Sequence, residues 1–414
     1  MSYQDRRRRD SGRASNRGAY TSRGSSYNNR RNSPKKPKKA SSDSIHYSRY
    51  IKPASSVQAE EAYQPQHTFD DFAVDARLKH NIAQKGITIP SPIQDQSIPA
   101  ALAGDDIIGI ANTGTGKTLA FSVPVIHRLL TEPGAKALVL APTRELAEQI
   151  EAEMKSIGKG SGLFGATLIG GVNMRPQFMA LAENPEIVIG TPGRVKDHLN
   201  RGTLDLSDFS TVVLDEFDRM LDMGFVNDVR MIVSQLSADR QSLLFSATLD
   251  SKIKTLVTEF TRNPVMVRVK SSETTDTVEQ NVVFYQTKAE KIELLHDLLI
   301  DESTKKVLIF HETKYGADRL GQALIDRGFA AGSIHGGKTQ GARSRTLREF
   351  KLSTTNVLVA TDVAARGIDV PDITHVINYA EPQTYADYVH RIGRAGRAGK
   401  TGFAVTFVEK SHRA

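Results

Sequence analysis

Asp215 and Glu216 close the apolar run Thr211-Val212-Val213-Leu214, and Asp218 follows after Phe217, so carboxylates stand at the end of a buried strand. A magnesium-nucleotide site requires that arrangement. Upstream, Ala111-Asn112-Thr113-Gly114-Thr115-Gly116-Lys117-Thr118 carries glycines that let backbone amides turn toward phosphates. A helix predicted to start near Lys117 adds the positive end of its dipole. Thr113, Gly114, Thr115 and Gly116 are the candidate cradle. Lys117 is expected to reach the β and γ phosphates, and Thr118 to help hold Mg2+. Asp215 is expected to orient the metal through water, and Glu216 to position or deprotonate the attacking water. A glycine-rich turn without nucleotide is the alternative, and the Gly-Lys-Thr ending argues against it even though Ala111 replaces the usual first glycine. Paired acids at a strand end also cap helices. Behind a phosphate loop they imply hydrolysis of ATP.

Such groups need elements to hold them. Short apolar runs at Ile107–Ile110, 137–141, 186–189, 211–214 and 242–245 alternate with helical stretches, each run ending in a polar cluster. That is the pattern of a parallel sheet covered by helices on both faces, which binds ligands at the carboxyl ends of its strands. The polar stretch 271–277 reads as a linker. Beyond it the alternation restarts, with strands expected near 282–285, Val307–Phe310, Val357–Ala360, His375–Asn378 and 403–407. The fold class is α/β, with two tandem domains over 67–270 and 278–414.

Composition bounds the rest. The 414 residues contain no cysteine, which excludes disulfides and thiolate metal sites. No apolar run approaches the ~20 residues of a membrane span, and the N-terminus lacks the apolar centre of a secretory signal. The protein is expected to be soluble and cytoplasmic. The net charge of +8 is unevenly placed: residues 1–40 hold nine Arg and four Lys against Asp5 and Asp10, a local +11 that leaves the remainder near −3. Residues 1–66, rich in Arg, Ser, Gly and Asn, are expected to form a disordered basic tail. Arg17-Gly18 and Arg23-Gly24, with Tyr20 and Tyr27 nearby, suit loose contact with phosphates and bases. A solubilising or localisation role accounts for the tail equally well.

With both nucleotide motifs in hand, the chain from about Phe69 to Phe407 resembles the DEAD-box family of ATP-dependent RNA helicases. The resemblance is carried by Phe69 with Gly86–Gln94, Pro142-Thr143-Arg144-Glu145-Leu146, Gly170-Gly171 and Thr191-Pro192-Gly193-Arg194. It continues through Ser246-Ala247-Thr248, Gln340 with Arg343, Ala360-Thr361-Asp362 through Asp369, and His390-Arg391-Ile392-Gly393-Arg394-Ala395-Gly396-Arg397.

The resemblance implies two RecA-like domains that close on ATP, with RecA-like architecture in each. Gln94 would read the adenine edge through its amide, Phe69 would stack, and Asp369 would contact the ribose. Arg394 and Arg397 would stabilise charge on the transferring phosphoryl. Ser246, Thr248 and His390 would link Asp218 to the state of the cleft. RNA would run over Thr143, Arg144, Gly171, Thr191 and Arg194, then Arg343, Thr361 and Arg366. These are small, hydroxylated and basic residues suited to gripping a backbone, so binding is expected to be largely independent of base sequence. The chain is expected to be monomeric, with activating protein partners as candidates. An ATP-gated RNA clamp with weak unwinding and a DNA-directed helicase remain alternatives.

Three departures carry expectations. Phe217 stands where the family name has alanine, so its ring needs a pocket near Asp218 and could alter coupling. Ile87 replaces a frequent aromatic, which implies a looser adenine pocket. The chain ends at Ala414, soon after its last strand, where relatives commonly continue through another helix.

Overall fold

The computed structural model describes residues 45–53, 63–112, 114–249, 251–269, 277–365, 370, 372–396 and 401–410. The expected linker, apart from Thr277, lies outside the described residues, as do residues 1–44.

The first lobe holds a seven-stranded sheet of β1 Ile107–Ile110, β2 Lys136–Leu140, β3 Gly165–Leu168, β4 Ile187–Gly190, β5 Phe209–Leu214, β6 Gln241–Ser246 and β7 Val265–Arg268. Its order is β3-β4-β2-β5-β6-β1-β7. The second holds β8 Val278–Tyr285, β9 Val307–Phe310, β10 Ala331–Ile334, β11 Val357–Ala360, β12 His375–Asn378 and β13 Gly402–Glu409, ordered β10-β11-β9-β12-β13-β8. All pairings between these strands are parallel.

Burial on both faces explains why the central strands read as unbroken apolar runs. In β5, Val213 enters one core while Val212 and Leu214 enter the other. In β9, Leu308 and Phe310 face one side, Val307 and Ile309 the opposite one.

Strand order sorts the motifs. The loops after β1, β5 and β6 carry the phosphate loop, the acids and Ser246-Ala247-Thr248, and these strands are neighbours: Ile110 registers with Ser246, and Leu214 with Leu244. The loops after β3, β4 and β2 carry Gly170-Gly171, Thr191 and Pro142-Thr143-Arg144, and those strands form the other half of the sheet.

The expectation of one disordered tail to residue 66 fails over residues 45–53. Tyr47–Tyr50 form a 3-10 helix capped by the His46 ring, and Tyr50 is buried in the second lobe's core. Tyr63 Oη and the Gln66 amide donate to buried Asp95 of the first lobe. A composition averaged over 66 residues hides the local cluster of Ile45, Tyr47, Tyr50 and Ile51.

Candidate active site

At the phosphate loop, Gly116 takes φ +94° just before the helix Lys117–Thr131. A side chain there would bring a Cβ within 2.3 Å of the Gln94 amide nitrogen, so only glycine fits both the left-handed backbone and the approach. Gln94 Nε2 donates to the Gly116 carbonyl at 3.0 Å while its Oε1 accepts from the Ser91 amide at 2.9 Å. Each amide atom retains one further hydrogen-bonding position. Lys117 Nζ donates to the Ala111 carbonyl at 3.0 Å and is buried.

Asp215 is 2% exposed. Burial pushes its carboxyl up to about 6; Lys117 opposes the rise, and Glu216 adds to it. Glu216 takes a left-handed backbone, φ 50° and ψ 49°, immediately before the short helix Phe217–Asp222. A non-glycine residue held there stores about 1–3 kcal/mol. Gln94, Gly114, Gly116, Lys117, Thr118, Asp215 and Glu216 line one cavity of about 470 Å³.

A second cavity, about 120 Å³, lies between the lobes, lined by Glu216, Asp218 and Thr248 from the first and by His390 and Arg394 from the second. Glu216 therefore borders both spaces. Thr248 donates to Asp218 Oδ2 through its amide and its hydroxyl, both at 3.2 Å. Ser246 reaches Asp218 only through Thr248, since its hydroxyl donates to the Thr248 carbonyl at 2.8 Å. His390 Nδ1 makes no hydrogen bond among the described residues, while the residue lines the same cavity as Asp218 and Thr248. Burial, with Arg219 adjacent, depresses the imidazole to about 4, so it is neutral at ordinary pH. Arg391, beside it, is fixed by a bidentate pair to Asp362 at 2.6 and 2.7 Å.

A third cavity of about 570 Å³ gathers Thr143, Arg144, Gly171, Thr191, Arg194 and Arg343, six of the eight residues placed on the RNA path. Gly171 has φ +71°, and a Cβ there would lie 2.0 Å from the Arg144 guanidinium. Thr143 caps the helix Arg144–Ile157, accepting from the Leu146 amide.

Arg343 also pairs with Glu145 across the lobes at 2.7 Å, with side chains 8% and 1% exposed. Gln340 and Ser344 donate to Glu148 at 3.1 Å each. Burial raises Glu148, and these two hydrogen bonds oppose the rise. Thr361 is buried at the start of the helix Asp362–Ala365, its carbonyl accepting from Ala364 and Ala365.

A model of the DEAD/DEAH box helicase family matches residues 91–256, and one of the helicase conserved C-terminal domain matches residues 290–399. The chain belongs to the DEAD/DEAH box helicase family. The DEAD-box ATP-dependent RNA helicase CshA of Bacillus licheniformis is 46% identical over 342 residues, which cover 82% of this chain and 70% of that protein. CshA of Bacillus subtilis is 45% identical over 82% of this chain and 69% of its own. Among solved structures, S. cerevisiae Dbp5 bound to RNA and ADP BeF3 is similar with a TM-score of 0.73 at 29% identity, over 83% of this chain and 89% of that one. Mss116p bound to ssRNA and AMP-PNP gives 0.74 at 32%, over 81% and 73%.

Phe69 is 5% exposed and packs edge-on against Phe72 at 5.7 Å in the first core, and Ile87 lines the nucleotide cavity. Phe217 also finds room: it is fully buried, edge-on to Phe260 at 5.8 Å, in the core and away from the cleft. Thr113, Arg366, Asp369 and Arg397 lie outside the described residues. Sequence reasoning missed Asn112 and Arg219 in the interlobe cavity. It also missed Glu148, whose spacing from Glu145 on one helix was the available signal.

Proposed function

We propose that this DEAD-box protein hydrolyses ATP when RNA is bound and uses the closed state to open short RNA duplexes locally. One observation carries the reading. Glu216 and Asp218 of the first lobe share a cavity with His390 and Arg394 of the second, and Glu216 also lines the cavity that holds the phosphate loop and Asp215.

Lys117 and the backbone amides at 114–118 neutralise the β and γ phosphates, and Gln94 couples adenine recognition to the loop through the Gly116 carbonyl. Glu216 orients the attacking water. Arg394, from the second lobe, neutralises charge that develops on the transferring phosphoryl, an effect worth about 10³–10⁵ in rate where an arginine finger acts. Arg397, and Asp369 at the ribose, complete the set. Hydrolysis is thereby tied to closure, and Asp218 with Thr248 transmits the state of the cleft.

The donor set fits magnesium. Asp215 is a buried carboxylate raised by desolvation, a state that a cation would relieve. Among the described residues no group of three or more His, Cys, Asp or Glu is placed to hold an ion alone. That suits an ion that arrives with a nucleotide and takes most ligands from phosphate and water. Asp215 and Thr118 would hold it, and it would supply charge neutralisation at the phosphates.

RNA lies over the third cavity, gripped through its backbone by Arg144, Arg194 and the Gly171 turn, with Arg366 on the second lobe. The protein works as a cytoplasmic monomer that partners can activate. Among the described residues, no helix is long and apolar enough to cross a membrane. Strand displacement and ATP turnover, each with RNA and with DNA, test the reading. RNA-stimulated turnover with duplex opening, both lost in Arg394→Ala, is the expected result. Turnover without strand separation leaves a clamp, and equal stimulation by DNA removes the RNA preference.

A further inference from the structure

The residues 45–53 lie on the N-terminal side of the first lobe in sequence and outside both family matches, which begin at residue 91. They nevertheless belong to the core of the second lobe. Lys52 and Gln280 exchange backbone hydrogen bonds at 3.0 and 2.8 Å in an antiparallel bridge that covers β8, an edge strand. Exposed edges invite pairing with other chains, so a cover is useful in itself. This cover reaches further.

Tyr50 is 1% exposed, its ring 4.7 Å from that of Tyr388. Tyr388 in turn donates to Gln280 Oε1 at 2.9 Å, so Gln280 holds the segment by its backbone and the helix Tyr385–Ile392 by its side chain. The Arg49 guanidinium stands 3.9 Å over the Tyr385 ring in the first turn of that helix. Tyr388, Ile392 and Ala395 share one core cluster with Tyr50. Thus one face of the helix rests on the segment, while His390 and, just beyond the helix, Arg394 face the interlobe cavity. On the same lobe, Arg391 fixes the helix to Asp362. The helix is clamped between that ion pair and the N-terminal segment.

We propose that Tyr50, with Arg49 and the Lys52 backbone, positions the Tyr385–Ile392 helix so that Arg394 meets the nucleotide in the closed state; the proposal rests on the arginine-finger reading above. These are positioning residues, since none of them lines the nucleotide cavity. The effect should fall on the rate of hydrolysis rather than on nucleotide capture, because the groups that hold the adenine and the phosphates are on the first lobe. A shift of a catalytic group by about 1 Å costs up to about 100-fold in rate.

The test uses the full chain and compares Tyr50→Ala, Tyr50→Phe, Arg49→Ala, Lys52→Pro and Arg394→Ala. RNA-stimulated kcat and KM for ATP are measured beside the affinity for a fluorescent ATP analogue without RNA. Tyr50→Ala is expected to lower kcat by roughly 10–100-fold with analogue affinity unchanged, and Tyr50→Phe, which keeps the ring, to restore it. Should Tyr50→Ala not fold, Arg49→Ala and Lys52→Pro decide, since neither empties the core; each is expected to give a smaller kcat loss in the same direction. Unchanged kcat in these variants beside a defective Arg394→Ala overturns the proposal alone, as does a Tyr50→Phe protein as slow as Tyr50→Ala. An Arg394→Ala protein with full turnover overturns the arginine-finger reading instead.

Discussion

Asp215 is a residue whose chemistry is at odds with folding. Its carboxyl is raised from 3.8 to about 6 by burial. A raised acid favours the folded state most at low pH and loses that contribution as pH rises through the folded value. Above about pH 6, then, the nucleotide-free protein carries an ionised buried carboxylate at a cost of roughly 1–3 kcal/mol. Asp215→Asn should raise the thermal midpoint without nucleotide near pH 8, and the gain should vanish toward about pH 4. Turnover should be lost at both. A gain that persists in acid would show that the carboxylate is not the source. Phe217 yields the opposite case. Because its ring fills the core against Phe260, Phe217→Ala should destabilise the first lobe by about 3–5 kcal/mol in denaturant titrations. The Asp218–Thr248 bonds, and hence nucleotide affinity of the folded fraction, should survive. The acids, Lys117 and the glycines were legible from sequence because charge at a strand end has few other uses. That Ser246 reaches Asp218 through Thr248 is a matter of rotamer rather than sequence.

Elements tell the same story with a clearer cause. The central strands were legible nearly to the residue, because burial on both faces makes them continuous apolar runs. The three strands that were not anticipated, β3, β7 and β10, are all sheet edges. Their sequences, Gly-Ala-Thr-Leu, Val-Met-Val-Arg and Ala-Gly-Ser-Ile, carry the small or exposed residues that edges tolerate. The fourth edge, β8, was read only over its last four residues, since Val278-Glu279-Gln280-Asn281 is mostly polar. Helix pairing between lobes was beyond sequence altogether. The helices Arg144–Ile157 and Gln340–Lys351 meet through Glu145–Arg343 and Glu148 with Gln340 and Ser344. A buried ion pair adds little net stability, yet removing one partner strands the other charge at about 3–5 kcal/mol. Arg343→Ala should therefore disfavour closure driven by RNA and a nonhydrolysable ATP analogue, followed by fluorescence between the lobes. Adding Glu145→Ala should recover part of the loss. Strictly additive effects would mean that the pair does not form in the closed state.

At the scale of the whole molecule, the N-terminal region divides into a strongly basic stretch and a short one that packs on the second lobe. Residues 1–40 carry the local net charge of +11 and only scattered apolar residues, whereas residues 45–53 carry the tyrosines that enter the second lobe. Composition alone merged them, because Arg, Ser and Tyr are common to both and only contacts distant in sequence tell them apart. Deletions with different endpoints should separate them. Removing residues 1–40 takes away cations that can displace counterions from RNA. Every phosphate thereby left without its cation flattens the dependence of log affinity on log salt by about 0.7 for a single strand. If only four phosphates are neutralised in this way, the slope changes by roughly three. Maximal ATPase rate at saturating RNA should stay near that of the full chain, since the active site, the Tyr50–Tyr388 contact and the Lys52–Gln280 bridge are all intact. Extending the deletion through residue 53 should leave the salt slope where the shorter deletion put it, while lowering the maximal rate. A slope unaffected by the first deletion would make the tail an address or a solubiliser. An equal fall in rate from both deletions would mean that the boundary near residue 44 does not divide them.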